Sequence, residues 1–372
     1  MKIKEALRRG IGWLMRGLTK IDRRKLLFMD YYGCHYGDSP RAISEKISEL
    51  SADNKIVWAF TLPERHKANG KKVRVGSLAY YYHLYTSRVI VTNYRMTEDF
   101  KKRKGQLYMQ TWHSALRLKM IERDAISRLT FQYIDMAIHD SRQIDFLLSG
   151  CGMSKDIFKR AFWLDDKAKI QPLGCPRTDI LLTATDDFKA EIKRHIGLNP
   201  NHKIALYAPT FRNYGYNILD NFPFEEVSNS LGENWQLLVR LHPHEQTRII
   251  DHPGFVDVTN YDDATELMVI ADLLITDYSA LIFDFMLTRR PLFLFIPDLD
   301  DYLNYERGIY FDIPQLPVII CRNESELTHR LRHIDSEWAR PSAALDKLLN
   351  EMDFYNLGHS AEAVAKFLID QL

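Results

Sequence analysis

A histidine stands immediately after a predicted strand in the first third of the chain. Residues 107–112 are typical of a buried strand, and His113 and Ser114 follow directly. Imidazole titrates close to neutral pH, so a histidine at a strand end can accept the proton of an attacking hydroxyl. The position equally fits a histidine hydrogen-bonded within a loop. His113 is therefore a candidate general base, with the structural alternative open.

A second polar group ends the predicted strand 235–241. Arg240, His242 and His244 emerge there, and the alternation of side chains along a strand puts Arg240 and His242 on the same side. A guanidinium with its forked donors and an imidazole N–H can together hold a phosphate. The pattern predicts an anion-binding site.

A third group follows the apolar strand 273–276. The chain continues as Asp277-Tyr278-Ser279-Ala280, and a helix is expected to begin near Ser279. Free N–H groups and the helix dipole at such a start suit a phosphate. Asp277 or Ser279 fits a plain N-cap as well, and one helix end can serve both purposes.

Further cations lie near strand ends and in the loops beside them. Arg177 lies near the expected boundary between two domains, close to residue 180. Thr210 and Arg212 follow the strand 204–209, and Arg307 precedes a glycine. With Arg240, His242 and the helix start, these residues predict a site for a doubly charged diphosphate. The chain has no GxxxxGK[ST] loop, no GxGxxG after a first strand and no set of kinase motifs.

Metal and disulfide chemistry have little support in the sequence. The acidic stretch 298–301 could hold a divalent ion, but a solvated acidic loop is the preferred interpretation, and we assign no metal and no cofactor. The four cysteines, Cys34, Cys151, Cys175 and Cys321, form no CxxC pair. They suggest neither a zinc site nor a disulfide framework and fit a reduced compartment.

The elements that must position these residues alternate between strand and helix. Helices are expected at 41–50 and 141–148, and strands at 25–32, 55–60, 73–77, 88–93, 107–112, 136–139, 204–209, 235–241, 255–258, 273–276, 291–296 and 318–321. The alternation predicts an α/β protein of two facing Rossmann-type domains with parallel sheets, 25–180 and 181–372, whose last helix can pack back on the first domain. Ligands are expected at the carboxyl ends of the strands.

The N-terminal residues 1–24 form a separate basic segment. Residues 1–25 carry nine Lys or Arg and two acidic residues, a net charge of +7 in a chain whose total is +1. Ile3, Leu7, Ile11, Leu14 and Leu18 recur at helical spacing, so an amphipathic helix is expected. It can lie on an anionic membrane surface or pack on its own domain. No run approaches the roughly 20 apolar residues of a spanning helix, and a cytoplasmic, peripheral protein is expected.

Six motifs occur in one order along the chain, and together they resemble a known family. They are Gln110-Thr111-Trp112-His113, Gly174-x-Pro176-Arg177-x-Asp179, Tyr207-Ala208-Pro209-Thr210-x-Arg212, Arg240-x-His242, Ile275-Thr276-Asp277-Tyr278-Ser279 and Arg307-Gly308-x-Tyr310-Phe311-Asp312. The series looks like the CDP-glycerol glycerophosphotransferase family, which includes the teichoic acid primases and polymerases. The resemblance implies a GT-B-like fold, a CDP-glycerol or CDP-ribitol donor, and a lipid-linked glycan or polyol phosphate acceptor in teichoic acid or capsule synthesis.

The resemblance also implies roles for individual residues. His113 would deprotonate the acceptor hydroxyl, and that hydroxyl would attack the distal phosphorus and release CMP. His242, Arg240 and the helix end at Ser279 would bind the diphosphate, and Thr210, Asp277 and Arg307 would complete the donor pocket. Ser114-Ala115 stands where the family often has Gly-Thr, and Ala280 where it commonly has a second serine.

Three function classes follow from these observations. The leading one is a membrane-associated CDP-polyol phosphotransferase. A GT-B glycosyltransferase with a nucleotide-sugar donor and a non-catalytic nucleotide-binding relative are the alternatives. The near-neutral total charge argues against a general nucleic-acid-binding protein, and the oligomeric state stays open.

Overall fold

The computed structural model describes residues 10, 12, 14–97, 100–241 and 254–372. These residues divide into two compact units. The first holds the described residues within Met1–Ala115, Glu122–Asp179 and Phe354–Leu372, and the second those within Leu116–Ile121 and Ile180–Asp353. The division at Asp179 lies beside the boundary expected at 180, and the last 19 residues belong to the first unit, as the sequence allowed for the last helix. The short segment Leu116–Ile121 leaves the continuous range that the sequence suggested.

The first unit is built on a seven-stranded parallel sheet in the order β3-β2-β1-β4-β5-β6-β7. Its strands are β1 (Asp22–Met29), β2 (Lys55–Phe60), β3 (Lys71–Arg74), β4 (Ser87–Thr92), β5 (Leu107–Gln110), β6 (Phe146–Leu148) and β7 (Lys169–Gln171). Its helices are Asp38–Leu50, Leu78–Thr86, Phe131–Ser141, Gly152–Ala161 and the C-terminal helix Ser360–Ile369. The strand order reverses between β1 and β4, where ligands of such sheets bind.

The second unit has a six-stranded parallel sheet in the order β10-β9-β8-β11-β12-β13. Its strands are β8 (Lys203–Ala208), β9 (Trp235–Val239), β10 (Val256–Asp257), β11 (Leu273–Thr276), β12 (Leu292–Phe295) and β13 (Ile319–Cys321). Its helices are Asp186–Ile196, Phe224–Leu231, Ala264–Ile270, Leu281–Met286, Leu299–Tyr305, Glu324–Leu331 and Ile334–Met352, and the short helix Asp179–Thr183 leads into it. The reversal of strand order falls between β8 and β11.

Two secondary-structure predictions are wrong, and both concern one stretch. Residues 136–139 were expected as a strand but lie within the helix Phe131–Ser141, and the helix expected at 141–148 is replaced by a turn and the strand Phe146–Leu148. The Thr130 side chain accepts the N–H of Tyr133 and so caps the helix start. A short apolar run fits either element, and here the cap at Thr130 favours the helix.

The C-terminal helix completes the hydrophobic core of the first unit. Val364, Ala365 and Leu368 are buried in one cluster with Leu26 and Phe28 of the central strand β1. Parallel sheets need cover on both faces, and this helix supplies part of it from the far end of the chain.

Every helix in the described part of the chain is too short or too polar to cross a bilayer.

Candidate active site

His113 lies in a tight turn at the carboxyl end of β5. Trp112 has a positive φ of 56°, which is strained for a bulky residue. Gln110 holds the turn: its side-chain oxygen accepts the Trp112 N–H at 2.9 Å, and its amide donates to the Tyr94 carbonyl at 2.9 Å. Backbone strain that is fixed in this way is common at functional sites. The Gln-Thr-Trp-His motif is therefore a device that orients the His113 ring.

The His113 ring is half-buried between aromatic side chains. It stacks on Tyr94 with centroids 4.9 Å apart and lies 4.5 Å from the Trp112 ring. Its Nδ1 is 3.4 Å from the Asn93 carbonyl oxygen, a long contact. A carbonyl oxygen only accepts, so this contact favours the tautomer with the proton on Nδ1. The Nε2 lone pair of that tautomer is the one a general base uses.

Asn93 and Tyr94, which follow β4, contact this histidine, and residues after β1 pack against them; none of these residues was among the candidates expected from the sequence. Asn93 donates to the buried Asp30 carboxylate at 2.7 Å and accepts the Tyr31 N–H at 3.2 Å. The rings of Tyr31 and Tyr32 lie 4.5 and 5.2 Å from that of Tyr94. Their position directly after two strands that meet at the switch point was the available signal.

A buried charged group supports the Trp112 side of this turn. Arg95 pairs with Glu122 at 2.8 Å and with Asp140 at 3.0 Å, and all three side chains are at most 2% exposed. The guanidinium lies 5.4 Å from the Trp112 ring centroid. Burial raises the pKa of Asp140, although Arg95 and the other hydrogen bonds act against it. Such a group holds its neighbours rigidly, because each buried charge needs its partner in place.

Arg177 lies in the first unit and is engaged by a carboxylate there. Its Nη1 is 2.9 Å from Asp38 Oδ2, and both side chains are largely buried. Asp38 begins the helix Asp38–Leu50 with a φ of 56°. The structure thus places this predicted diphosphate ligand in an ion pair that ties two elements of the first unit together.

Thr210, Arg212 and Asp277 meet at the switch point between β8 and β11. Both Asp277 carboxylate oxygens accept the Thr210 N–H at 3.0 Å, and Arg212 Nη1 lies 2.8 Å from Asp277 Oδ2. Arg212 also donates to Asp298 Oδ2 at 2.7 Å. These residues form an internal brace at the site, because the polar atoms of Arg212 are used within the protein.

Asp298 corrects the expectation of a solvated acidic loop at 298–301, whereas Asp300 and Asp301 are exposed as expected. Its side chain is only 1% exposed, and a helix, Leu299–Tyr305, follows it. Although burial acts in the opposite direction, hydrogen bonds from Arg212, Tyr214 and Tyr278 keep the pKa of Asp298 below its ordinary value. The loop expectation failed because the partner, Arg212, lies 86 residues away in the sequence.

The remaining predicted donor ligands lie near the same sheet edge or outside the described residues. Arg240 follows β9, and its Nη1 donates to the Tyr261 carbonyl and, at 3.4 Å, to the Val258 carbonyl. Ser279 Oγ accepts the Leu281 N–H at 3.2 Å, as an N-capping side chain does, and Ala280 immediately precedes the helix. Arg307 is half-buried, and within the described part of the chain its guanidinium forms no hydrogen bond and no ion pair. His242 lies outside the described residues.

The residues that the structure describes contain no group of three or more His, Cys, Asp or Glu side chains that could hold a metal ion.

The chain belongs to the CDP-glycerol:poly(glycerophosphate) glycerophosphotransferase family, whose model matches residues 14–370. The resemblance inferred from the six motifs is confirmed, and with it the assignment to a family of transferases.

Individual relatives agree with this membership. The chain is 30% identical to the teichoic acid glycerol-phosphate transferase of Staphylococcus aureus, with 90% of each chain covered. It is 28% identical to the teichoic acid poly(glycerol phosphate) polymerase of Staphylococcus epidermidis over 93% of its own length, and it spans 50% of that longer protein. A variant of the wall teichoic acid polymerase TagF with CDPG matches with a TM-score of 0.88 at 26% identity, over 98% of this chain and 93% of that one. The GT-B-like α/β fold is thereby confirmed.

Proposed function

We propose that this protein transfers glycerol phosphate from CDP-glycerol to a hydroxyl of a teichoic acid chain or primer and releases CMP. The observation that carries the proposal is the fixed orientation of His113, whose Nδ1 faces a carbonyl oxygen, in a chain that belongs to the glycerophosphotransferase family. CDP-ribitol is the second donor that the same chemistry would accept.

The proposed reaction is a single displacement at phosphorus. His113 Nε2 accepts the proton of the acceptor hydroxyl as its oxygen attacks the distal phosphorus of the donor. The bond from that phosphorus to the bridging oxygen breaks, CMP departs with the bond's electron pair, and a phosphodiester remains. Catalysis of this kind depends mainly on positioning and on charge stabilisation. Arg240, His242, Arg307 and the helix start at Ser279 and Ala280 are the proposed ligands of the diphosphate.

The brace of Thr210, Arg212 and Asp277 has an indirect part in this proposal. It fixes the ends of β8 and β11, after which the chain continues toward the proposed donor ligands. It also holds the buried Arg212 guanidinium in place when an anion binds. Arg177 has the corresponding part in the first unit through Asp38.

We further propose that the protein acts peripherally at the cytoplasmic face of the membrane, where a lipid-linked acceptor would lie. The support is the net charge of +7 in residues 1–25 together with two apolar side chains, Leu14 and Leu18, which are 47% and 77% exposed. A basic segment with exposed leucines fits an anionic surface.

A panel of donors tests the proposed function. The full chain is incubated with a synthetic lipid-linked acceptor and CDP-glycerol, CDP-ribitol or a set of UDP-sugars, and the released nucleotide and the product mass are measured. We expect CMP and a product heavier by one or more polyol phosphate units. Release of UDP without CMP would establish a glycosyltransferase, and release of neither nucleotide would favour a non-catalytic relative.

A further inference from the structure

Lys119 is a cation outside the residues assigned above, and it lies in the second unit. It belongs to the segment Leu116–Ile121, which leaves the first unit only three residues after His113. The segment runs alongside 308–310, where the Met120 N–H donates to the Gly308 carbonyl at 2.7 Å. A Cβ on Gly308 would lie 2.9 Å from the Met120 sulfur, so the glycine makes room for this segment. Lys119 is thereby held beside Arg307.

The ammonium group of Lys119 faces an aromatic ring and has no carboxylate in contact. Its Nζ lies 5.2 Å from the Tyr302 ring centroid, and Tyr302 stacks on Tyr278 at 3.6 Å. Across the residues that the structure describes, Lys119 forms no hydrogen bond and no ion pair within 4.0 Å. The three N–H donors of this ammonium are therefore available to a ligand.

A buried hydroxyl near this lysine also lacks a partner. Tyr302 is fully buried, and its hydroxyl oxygen has no hydrogen-bond partner among the described residues. Buried polar atoms are nearly always hydrogen-bonded, and an exception in a native structure points to a missing water, ion or ligand. Lys119, Arg307 and the Tyr302 hydroxyl are together three groups with unused donors.

The unused cationic donors of Lys119 and Arg307 favour an anion as that missing ligand. Asp277 and Glu306 act to raise the pKa of Lys119, and Arg212 and Arg307 act to lower it. Asp277 is already bound by Arg212, and Glu306 accepts the N–H of Asn213 at 2.8 Å. Burial, assisted by the two arginines, lowers the pKa of Lys119 to about 8. A bound phosphate would offset that desolvation and return the ammonium to its charged form.

We propose that Lys119, together with Arg307, binds the diphosphate of the nucleotide donor. The inference rests on the proposed function, because it takes the donor to be a CDP-polyol. The segment that follows His113 would then contribute a ligand of the donor, so the chain that carries the candidate base continues directly into the donor site.

Titration calorimetry with the full chain tests this inference. Lys119→Met is compared with the wild type for CDP-glycerol, CMP and cytidine. We expect affinity for CDP-glycerol to fall by about tenfold to a hundredfold, as for loss of a hydrogen bond from a charged donor. Affinity for cytidine, which has no phosphate, should stay unchanged. Equal affinity of the variant and the wild type for CDP-glycerol would overturn the proposal.

Lys203 provides the matched control. Its Nζ lies 5.4 Å from the Trp235 ring centroid in the same unit, so Lys203→Met removes a lysine–aromatic contact outside the proposed site. We expect wild-type affinity for CDP-glycerol from this variant. A loss equal to that of Lys119→Met would mean a general effect of charge and would contradict a specific contact.

The pH dependence of binding separates a ligand contact from a structural role. Between pH 7 and 10 the wild type should lose affinity for CDP-glycerol above about pH 8, because Lys119 then releases its proton, whereas Lys119→Arg should keep its charge. The donor diphosphate is already fully ionised at neutral pH and contributes no change. Identical pH profiles for the two proteins would overturn the proposal.

Two failures can be told apart. If the wild type neither binds CDP-glycerol nor releases CMP from it, the proposed function is wrong and the inference falls with it. If the wild type binds CDP-glycerol and Lys119→Met binds equally well with an unchanged melting temperature, only the inference about Lys119 is wrong.

Discussion

At Arg212, one guanidinium is surrounded by two carboxylates and a threonine. Its Nε donates to Asp298, while Nη1 contacts Asp277 and donates to the Thr210 hydroxyl at 2.8 Å. Arg212 and both acids are at most 3% exposed. A buried pair of this kind adds little net stability, but removal of one partner leaves the others charged and unpaired.

We therefore predict that Arg212→Met lowers the free energy of unfolding by about 3–5 kcal/mol. Chemical denaturation of the full chain measures this, with Arg289→Met as the control. The Arg289–Asp346 pair is 60% and 67% exposed, and its loss should change stability by less than about 1 kcal/mol. If Arg212→Met unfolds like the wild type and loses only donor affinity, Arg212 is a ligand and the brace is misassigned.

The positions of polar residues at strand ends could be predicted from the sequence, whereas the residues that contact them in the folded protein could not. The positions of His113, Arg240 and Asp277 after β5, β9 and β11 follow from local apolar runs. The pairing of Arg212 with Asp298 and the approach of Lys119 to Tyr302 join residues that are distant in the chain. Only the folded topology brings such pairs together, so Arg212 was expected to be a ligand and Lys119 was not among the candidate residues.

At the scale of elements, the Gly174-x-Pro176-Arg177-x-Asp179 motif fastens the C-terminal helix. The Asp179 carboxylate accepts the N–H groups of Ser360 and Ala361 at 3.0 and 2.7 Å and so caps that helix from outside it. Gly174 has a φ of +95°, and a Cβ there would lie 2.1 Å from Ser360 Oγ. The glycine and the aspartate thus act on the same helix start.

Gly174→Ala in the first unit is expected to destabilise the protein more than Gly197→Ala in the second unit does. Gly197 also has a positive φ, +82°, but a Cβ there meets nothing within 4 Å. The control should cost about 1–2 kcal/mol for the left-handed backbone alone. Gly174→Ala should cost about 1–3 kcal/mol more, because the methyl group must displace the helix start. Equal unfolding free energies for the two variants would contradict the fastening role.

The strand–helix alternation made the two parallel sheets predictable, while single element boundaries depended on local caps. The run Met136–Ile138 fits a strand or a helix, and the Thr130 cap decides for the helix. The position of the C-terminal helix in the core of the first unit depends on contacts with β1 more than 300 residues earlier in the chain. The sequence allowed this helix to pack back on the first domain, but its periodicity did not identify the residues of β1 as the partners.

At the scale of the whole molecule, the basic N-terminal segment is the basis of the proposed location of the protein at the membrane surface. Of the helical segment expected over residues 1–24, residues 1–9, 11 and 13 lie outside the described residues, and residues 10, 12 and 14–18 are helical. Its end was wrong, because the chain enters strand β1 at Asp22. Leu18 is 77% exposed, so a polar residue there should leave the fold intact.

We predict that Leu18→Asp weakens binding to vesicles that contain anionic lipid, and that deletion of residues 1–20 weakens it further. Co-sedimentation at low and high salt measures both effects, and binding of the intact chain should fall as salt rises. Leu50→Asp is the control, since Leu50 is 43% exposed on a different helix. Unchanged vesicle binding after the deletion would remove the membrane role.

The reaction proposed for this protein is transfer of a polyol phosphate with His113 as the base. The most direct measurement quantifies CMP and acceptor-linked glycerol phosphate from CDP-glycerol, for the wild type and for His113→Ala. We expect equal molar amounts of the two products from the wild type. From the variant we expect a loss of turnover of about a hundredfold or more, with CDP-glycerol affinity retained. Normal turnover by His113→Ala, or CMP release without a phosphodiester product, would contradict it.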